Sequence, residues 1–167
     1  MNLKTTGTVY WITGLAGAGK TSVGQGLWER LRVQSRAVVF LDGDALRAVW
    51  GVEGGYSREE RLRLAMSYSR LCKLISEQGT DVVIATISLF SEVHEWNRQN
   101  FPNYQEIYLR VQESVLRSRD HRDLYGRDDV VGTGIAFDIP ANADLIVDND
   151  GGRTVSEVVQ SICDRLL

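Results

Sequence analysis

A chain of 167 residues with 43% apolar and 25% charged residues has the size and composition of a globular domain. Its formal charge of −3 excludes the strongly basic surface of a protein that binds a nucleic-acid polymer. No apolar run approaches the roughly 18 residues that span a membrane. Cys72 and Cys163 lie far apart in apolar patterns, which favours two buried thiols over a disulfide. We therefore predict one domain over residues 1–167, located in the cytoplasm, that binds no membrane.

Short β-rich runs alternate along the chain with longer helical patterns, which is typical of βαβ units around a parallel sheet. Two of the runs, 37–41 and 82–85, are almost continuously apolar, as expected for strands that helices cover on both faces. The sequence predicts an α/β fold of three layers, with a central parallel sheet of about five strands and helices on both faces. The predicted strands are Thr8–Thr13, Ala37–Leu41, Asp81–Thr86, Gln105–Val111 and Asp144–Val147.

Three helices are predicted between and after these strands. The first, Lys20–Ser35, places an apolar residue every fourth position on one face. Ser57 and Glu60 form a capping-box pattern that opens a second helix, which ends near Gly79. Thr154 and Glu157 repeat this pattern at the start of the last helix. The irregular segment from about 119 to 140 is too long for an ordinary connection and is predicted to be a lid.

The segment GLAGAGKT follows the first strand and opens the first helix, and it fits the pattern G-x-x-x-x-G-K-[ST] of a P-loop. Its glycines let backbone N–H groups surround phosphates, the lysine reaches the outer phosphates, and the threonine hydroxyl binds Mg²⁺. The loop alone predicts a bound nucleoside triphosphate with Mg²⁺, and with the aspartate pair that follows we predict a P-loop kinase fold that uses ATP and Mg²⁺. The predicted ATP-binding residues of this loop are Gly14, Leu15, Ala16, Gly17, Ala18, Gly19, Lys20 and Thr21.

Two carboxylates, Asp42 and Asp44, follow the second strand at the carboxyl edge of the sheet, where ligands bind in open α/β folds. Phosphoryl transfer needs a group that orients the attacking hydroxyl and accepts its proton, together with a metal ion that offsets phosphate charge. We predict that Lys20, Asp42 and Asp44 are catalytic, and that Asp42 and Thr21 bind the metal. How the two aspartates divide these roles stays open at this point.

The ordered set of motifs resembles the adenylylsulfate kinase family, which phosphorylates the ribose 3′-hydroxyl of adenosine 5′-phosphosulfate with Mg-ATP. The resemblance covers nearly the whole chain. It is carried by the P-loop together with LDGDALR (41–47), GYS (55–57) with Arg61, ATIS (85–88), RDHRDLY (119–125) and ADLIVDN (143–149). Members of this family often form dimers, so the resemblance also implies a possible homodimer.

The resemblance implies a role for each residue on the acceptor side. Asp44, together with Asp42, would handle the accepting hydroxyl and the metal, while Arg47 and Arg61 would bind the phosphate-bearing part of a small nucleotide substrate. Tyr56 would stack near the base of that substrate. On the ATP side, Arg119 at the start of the lid would close over ATP. The segment after the third strand would line the same cleft through Ile87, Ser88, Leu89 and Phe90.

The sequence departs from the family pattern on the acceptor side. Leu64 stands where the family usually has Asn. The segment 88–91 reads Ser-Leu-Phe-Ser, where the family has Ser-Pro-Tyr-Arg, so Ser91 replaces an arginine. Loss of polar partners in a binding site changes which substrate is accepted. The stretch 90–100 is similar to family members found with capsule-building enzymes, which are thought to phosphorylate a cytidine diphosphate amidate.

Three other function classes compete with these kinases. A GTP switch protein is unsupported, because the late strand lacks an Asn-Lys-x-Asp guanine-reading segment. An ATP-binding sensor without catalysis would retain the loop but would not need the aspartate pair. A kinase for a small metabolite other than a nucleotide would not need Tyr56 as a stacking platform.

Overall fold

The computed structural model describes residues 6–34, 36–51, 57–120, 131–132 and 135–167. Within these ranges five parallel strands form one sheet in the spatial order β2-β3-β1-β4-β5, with helices on both faces. The predicted fold class is thereby confirmed. The elements are β1 (Val9–Thr13), α1 (Lys20–Val33), β2 (Val38–Asp42), α2 (Gly43–Val49), α3 (Arg58–Ser76), β3 (Asp81–Ala85), α4 (Ser91–Asn100), β4 (Tyr104–Arg110), α5 (Glu113–Ser118), β5 (Leu145–Asp148) and α6 (Val155–Leu166).

Burial along the sheet follows the position of each strand. Every residue of the central strands β1 and β3 is buried, because apolar layers cover both of their faces. The strand β2 is also apolar over Val38–Leu41, yet all five of its residues are half-buried because it lies at the edge of the sheet. The other edge strand, β5, alternates buried and exposed residues. An apolar run therefore predicted a strand correctly in β2 but overestimated how far it is covered.

Two apolar clusters flank the sheet and make the three layers. On one face Ile12 and Val83 pack with residues of α1 and α6, among them Leu27 and Ile162. On the other face the β1 residue Trp11 packs with residues of α3 and α4. The side chains of Val9 to Ile12 thus alternate between the two clusters, because successive residues of a strand point to opposite faces. The P-loop starts where β1 leaves this doubly covered sheet.

Both predicted capping boxes are present. The Ser57 hydroxyl accepts from the N–H of Glu60 while the Glu60 carboxylate accepts from the N–H of Ser57, and Thr154 and Glu157 repeat the arrangement on α6. Gly79 has φ 85°, a left-handed conformation that ends α3 close to the predicted point.

Three helices, α2, α4 and α5, were not predicted. They span 7, 10 and 6 residues, so each offers too few turns for an apolar period to stand out. Helix α4 is mostly polar, and two of its buried residues, His94 and Asn97, are polar as well. None of the described helices combines the length and the apolar composition that crossing a bilayer requires.

A buried ionic network joins α4 to β4. Glu106 in β4 is 1% exposed, and its carboxylate accepts from His94 Nδ1, from the Tyr104 hydroxyl at 3.1 Å and from Arg98 Nη2 at 3.2 Å. Burial alone raises the pKa of Glu106, but the hydrogen bonds and charges of His94, Tyr104 and Arg98 outweigh it and lower the pKa below its usual value. The network therefore stabilises the fold while Glu106 is ionised.

Replacing Glu106 with glutamine is expected to destabilise the fold by about 3 kcal/mol at pH 7, since it removes the charge from a buried ion pair. Because the pKa of Glu106 is lowered on folding, its contribution is complete above the ordinary glutamate pKa of about 4.3 and is lost as pH falls through the lowered value. Urea unfolding of the wild type and of Glu106→Gln, from pH 7 downwards, measures this directly. The exposed neighbour variant Glu95→Gln is the control, and a difference independent of pH would contradict the assignment.

Candidate functional site

The P-loop connects β1 to α1 by a turn that needs glycine at two positions. Gly17 and Gly19 have φ of 79° and 88°, in the left-handed region that other residues rarely adopt. A Cβ atom on Gly19 would also stand 2.7 Å from Asn149 Nδ2. Both conformation and space therefore require the motif glycine Gly19, while at Gly17, a variable position of the motif, the conformation alone favours glycine.

The first turn of α1 favours the binding of an anion. Gly19 supplies no side-chain cap, and the first turn carries no acidic residue, so the leading N–H groups and the positive end of the helix dipole face the loop. Lys20 lies in this turn and donates from Nζ to the carbonyl oxygen of Leu15 at 2.8 Å. The lysine ammonium is thus folded over the loop that would hold the phosphates.

Asp42, the last residue of β2, links this strand to the P-loop through its carboxylate. One carboxylate oxygen accepts from the backbone N–H groups of Asp44 and Ala45 at 3.0 and 3.2 Å, which makes Asp42 the N-cap of α2. The other oxygen accepts from the Thr21 hydroxyl at 2.7 Å. The end of β2 and the start of α1 therefore meet through one carboxylate.

A hydroxyl in contact with a carboxylate is the kind of hard oxygen pair that Mg²⁺ prefers, with its other positions filled by phosphates and water. Thr21 and Asp42 fit this ion on the chemistry of their donors. Among the described residues no cluster of three or more His, Cys, Asp or Glu side chains could hold a metal ion by itself. Such a site would depend on the nucleotide to complete it.

The acceptor-side residues Asp44 and Arg47 lie on α2, immediately after Asp42. Asp44 is exposed in the first turn, and its carboxylate forms no side-chain hydrogen bond within the described part of the chain. Arg47 is half-buried in the last turn. Arg61 is half-buried near the start of α3, and its N–H donates to the carbonyl oxygen of Ser57. Tyr56 lies outside the described residues.

The segment after β3, residues 87–90, is fixed by hydrogen bonds at the carboxyl edge of the sheet. The Thr13 hydroxyl donates to the Ile87 carbonyl, and the hydroxyls of Thr86 and Ser88 are 2.7 Å apart. Ser88 has φ 23°, a strained conformation for a residue with a side chain, and such strain is concentrated at functional sites. The side chains of Leu89 and Phe90 are 0% and 2% exposed, so this segment can present backbone groups to a ligand.

An ionic cluster, Arg58 with Glu92 and Asp138, closes over Phe90. The Arg58 guanidinium stands 5.3 Å from the centre of the Phe90 ring and donates to Glu92 at 3.1 and 3.2 Å. Asp138 lies 3.8 Å from Arg58 and accepts from the Ser91 N–H at 2.9 Å. The family pattern has arginine at position 91, where this chain has serine. The guanidinium near this position belongs to Arg58 of α3.

The second departure, Leu64, is half-buried and packs against the apolar cluster between the sheet and α3. Its side chain contributes to the packing of α3 and offers no hydrogen bond. The chain therefore lacks an amide at position 64 as well as a guanidinium at position 91.

Arg119 follows α5 and bonds to the ATP side of the site. Its guanidinium donates to the Gly17 carbonyl at 3.2 Å and to the Asn149 carbonyl at 2.9 Å. Asn149 in turn donates from Nδ2 to the Ala18 carbonyl at 2.9 Å. Asn149 was missed as a site residue, although its place directly after β5 puts it at the carboxyl edge of the sheet.

Most of the predicted lid, 121–130 and 133–134, lies outside the described residues. Of its described part, Val131 is buried, and a Cβ atom on Gly132 would stand 2.9 Å from the Leu15 side chain. Asp138 donates from its N–H to the Leu89 carbonyl at 3.0 Å. The segment that returns from the lid region thus contacts the P-loop first and the residue 87–90 segment next.

Comparison with known proteins identifies relatives over nearly the whole chain. Cytidine diphosphoramidate kinase of Campylobacter jejuni is 38% identical over 164 residues, which is 95% of each chain. Adenylyl-sulfate kinase of Gloeothece citriformis is 31% identical over 125 residues, 75% of this chain and 71% of its own. The APS kinase of Mycobacterium tuberculosis, solved with AMPPNP and APS, superposes with a TM-score of 0.85 at 25% identity, over 96% of this chain and 98% of that one.

The family model described as adenylylsulphate kinase matches residues 6–148, which include the P-loop, the aspartate pair and the segment after β3. The resemblance inferred from the motifs is therefore confirmed, together with the reaction class that the named relatives share. This chain belongs to the adenylylsulphate kinase family and is an ATP-dependent nucleotide kinase.

Proposed function

We propose that this kinase transfers the γ-phosphate of ATP, with Mg²⁺, to the ribose 3′-hydroxyl of cytidine diphosphoramidate. On the ATP side, the P-loop backbone and Lys20 would hold the phosphates, while Thr21 and Asp42 would bind Mg²⁺, which offsets phosphate charge when bound. Arg119, bonded to the loop through Gly17, would close the nucleotide side.

The contacts around Asp42 support a transfer site and not a simple nucleotide-binding loop. The Thr21 hydroxyl and the Asp42 carboxylate are in contact at 2.7 Å, and the same carboxylate caps the helix that carries Asp44. Asp44 would accept the proton of the attacking hydroxyl, since its carboxylate has no competing side-chain hydrogen bond within the described residues. Arg47 and Arg61 would hold the phosphate-bearing part of the acceptor.

The choice of acceptor rests on positions 64 and 91. An apolar Leu64 and a Ser91 tied to Asp138 leave out the two polar groups that the adenylylsulfate kinase pattern places there. A site that lacks the partners of one substrate discriminates against it. The 38% identity with the Campylobacter enzyme over 95% of both chains supports the same choice.

Adenylylsulfate is the competing acceptor, because the P-loop, the LDGDALR segment and Arg61 match its kinases. A parallel assay with Mg-ATP and equal concentrations of either acceptor separates the two, with product masses identifying the phosphorylated acceptor and phosphorus–proton NMR couplings identifying the phosphorylated hydroxyl. We expect at least a tenfold higher kcat/KM for cytidine diphosphoramidate. The reverse order would overturn the acceptor assignment, and ATP binding without transfer to either would favour a sensor.

Two further expectations belong to this proposal. A cytoplasmic location is supported by the free thiols of Cys72 and Cys163, since disulfides are rare in that compartment.

We also propose one domain that assembles as a homodimer, which light scattering of the purified chain would test.

A further inference from the structure

Tyr68 reaches from α3 to the turn between the two candidate aspartates. Its side chain is 3% exposed, and its hydroxyl donates to the carbonyl oxygen of Gly43 at 3.0 Å. Gly43 stands between Asp42 and Asp44, so this hydroxyl fixes the peptide that joins them. The two residues are 25 positions apart in sequence, and Tyr68 was not among the predicted site residues.

The hydroxyl of Tyr68 stands among the charges of the acceptor side. Burial raises its pKa to about 12, while Arg47 acts to lower the pKa and Asp44 and Asp42 act to raise it. The phenol therefore stays protonated and keeps donating to Gly43 at any pH at which the kinase works. These neighbours also fix the location of the tyrosine ring, beside the residues proposed to hold the acceptor.

Trp50 stacks on that ring. The two ring centres are 5.4 Å apart and their planes differ by 16°. Trp50 caps the C-terminus of α2 and is 41% exposed, so part of its indole is open to a ligand. Trp50 follows Asp42 by one helix length, a rise of about 12 Å along α2, so it lies at the opposite end of the helix from the aspartates.

An exposed indole that is already stacked on a fixed tyrosine is pre-organised to receive another flat ring. Nucleobases stack on aromatic side chains whatever their sequence identity, because every base has a π-face. The same helix carries Asp44 at its start and Arg47 in its last turn, so one helix would contact the hydroxyl, the phosphates and the base of the acceptor.

We propose that Trp50, supported from behind by Tyr68, is a stacking platform for the nucleobase of the acceptor. This inference rests on the proposed function, since it takes the acceptor to be a nucleotide. The platform supplies affinity for the base and leaves the choice among bases to other contacts.

Replacing Trp50 with alanine is expected to raise the KM for the acceptor about tenfold or more, within the range measured for single base-stacking contacts. The KM for ATP should change less than twofold, because the P-loop lies on the other side of Asp42. Trp50→Phe should restore most of the affinity. Val49→Ala is the matched control, since Val49 is the adjacent residue, is 78% exposed and takes no part in the ring pair. An acceptor KM within twofold of wild type in Trp50→Ala would overturn the proposal.

A binding experiment separates this inference from the proposed function. Calorimetric titration of CDP and of UDP into the full chain, saturated with Mg²⁺ and a non-hydrolysable ATP analogue, needs no turnover and no particular terminal group. We expect Trp50→Ala to weaken both titrations similarly even if cytidine diphosphoramidate proves not to be a substrate. Absence of binding to the wild type would overturn the platform. So would unchanged nucleotide affinity with an altered oligomeric state in light scattering, which would make Trp50 a contact between subunits.

Discussion

Replacing Asp44 with asparagine is expected to lower kcat by about 10²- to 10⁴-fold, the usual contribution of a positioned general base. The exchange keeps the size of the side chain but removes the group that would accept the proton of the attacking hydroxyl. Asp44 is exposed in the first turn of α2, and its carboxylate forms no side-chain hydrogen bond within the described residues, so folding does not depend on it. Steady-state kinetics with the phosphorylated acceptor as the measured product tests this expectation.

The KM values distinguish this role from a role in binding. If Asp44 acts on the proton, the KM for ATP should stay close to wild type while kcat falls. The control is Asp164→Asn, which removes the same charge from α6, where the Asp164 carboxylate accepts from Gln160. A variant Asp44→Asn that transfers phosphate at the normal rate would show that another group, or the substrate itself, accepts the proton.

The P-loop and the aspartate turn could be predicted because each depends on neighbouring residues in sequence. Eight consecutive residues specify the loop, and Gly19, which adopts a left-handed conformation, is one of the glycines that the motif specifies. Apolar runs likewise located the five strands to within one or two residues. Local sequence therefore predicted the sheet edge at which the candidate site lies.

The parts that were missed depend on contacts between distant elements. Tyr68 is 25 positions from Gly43, and Asn149 is 131 positions from the Ala18 carbonyl that it contacts. Arg58 and Asp138 likewise meet across the fold. A tyrosine on α3 is indistinguishable from a core residue in the sequence, and its hydroxyl acquires a role from the packing of α3 against α2. Such positions become visible once the elements have been placed.

The same limit applies to the two aspartates. In the sequence the two carboxylates are separated by a single glycine, and nothing in this pattern predicts different roles for them. The unpredicted helix α2 makes them different, because Asp42 becomes its N-cap while Asp44 enters its first turn. We propose that the two roles left open by the motif divide according to where this helix of seven residues begins.

Replacing Asp42 with asparagine is expected to lower kcat/KM for Mg-ATP roughly 10²- to 10³-fold while leaving the fold nearly intact. Asparagine caps a helix as well as aspartate does, so the bonds to the N–H groups of Asp44 and Ala45 are retained. Its amide lacks the negative charge that a magnesium ligand beside Thr21 requires. The loss should therefore appear in kinetics and not in the free energy of unfolding, which we expect to change by less than about 1 kcal/mol.

A double-mutant cycle with Thr21 identifies the shared partner. If Thr21 and Asp42 bind one ion, Thr21→Val and Asp42→Asn should each remove most of the extra thermal stability that Mg²⁺ gives the complex with a non-hydrolysable ATP analogue, and the double variant should lose little more. Thr21→Ser, which keeps the hydroxyl, is the control. If both single variants instead keep the full stabilisation by Mg²⁺, the 2.7 Å contact between the two side chains only orders α1 against β2 and the metal lies elsewhere. Non-additive losses with an intact fold would assign the ion to Asp42 and, by exclusion, the acceptor hydroxyl to Asp44.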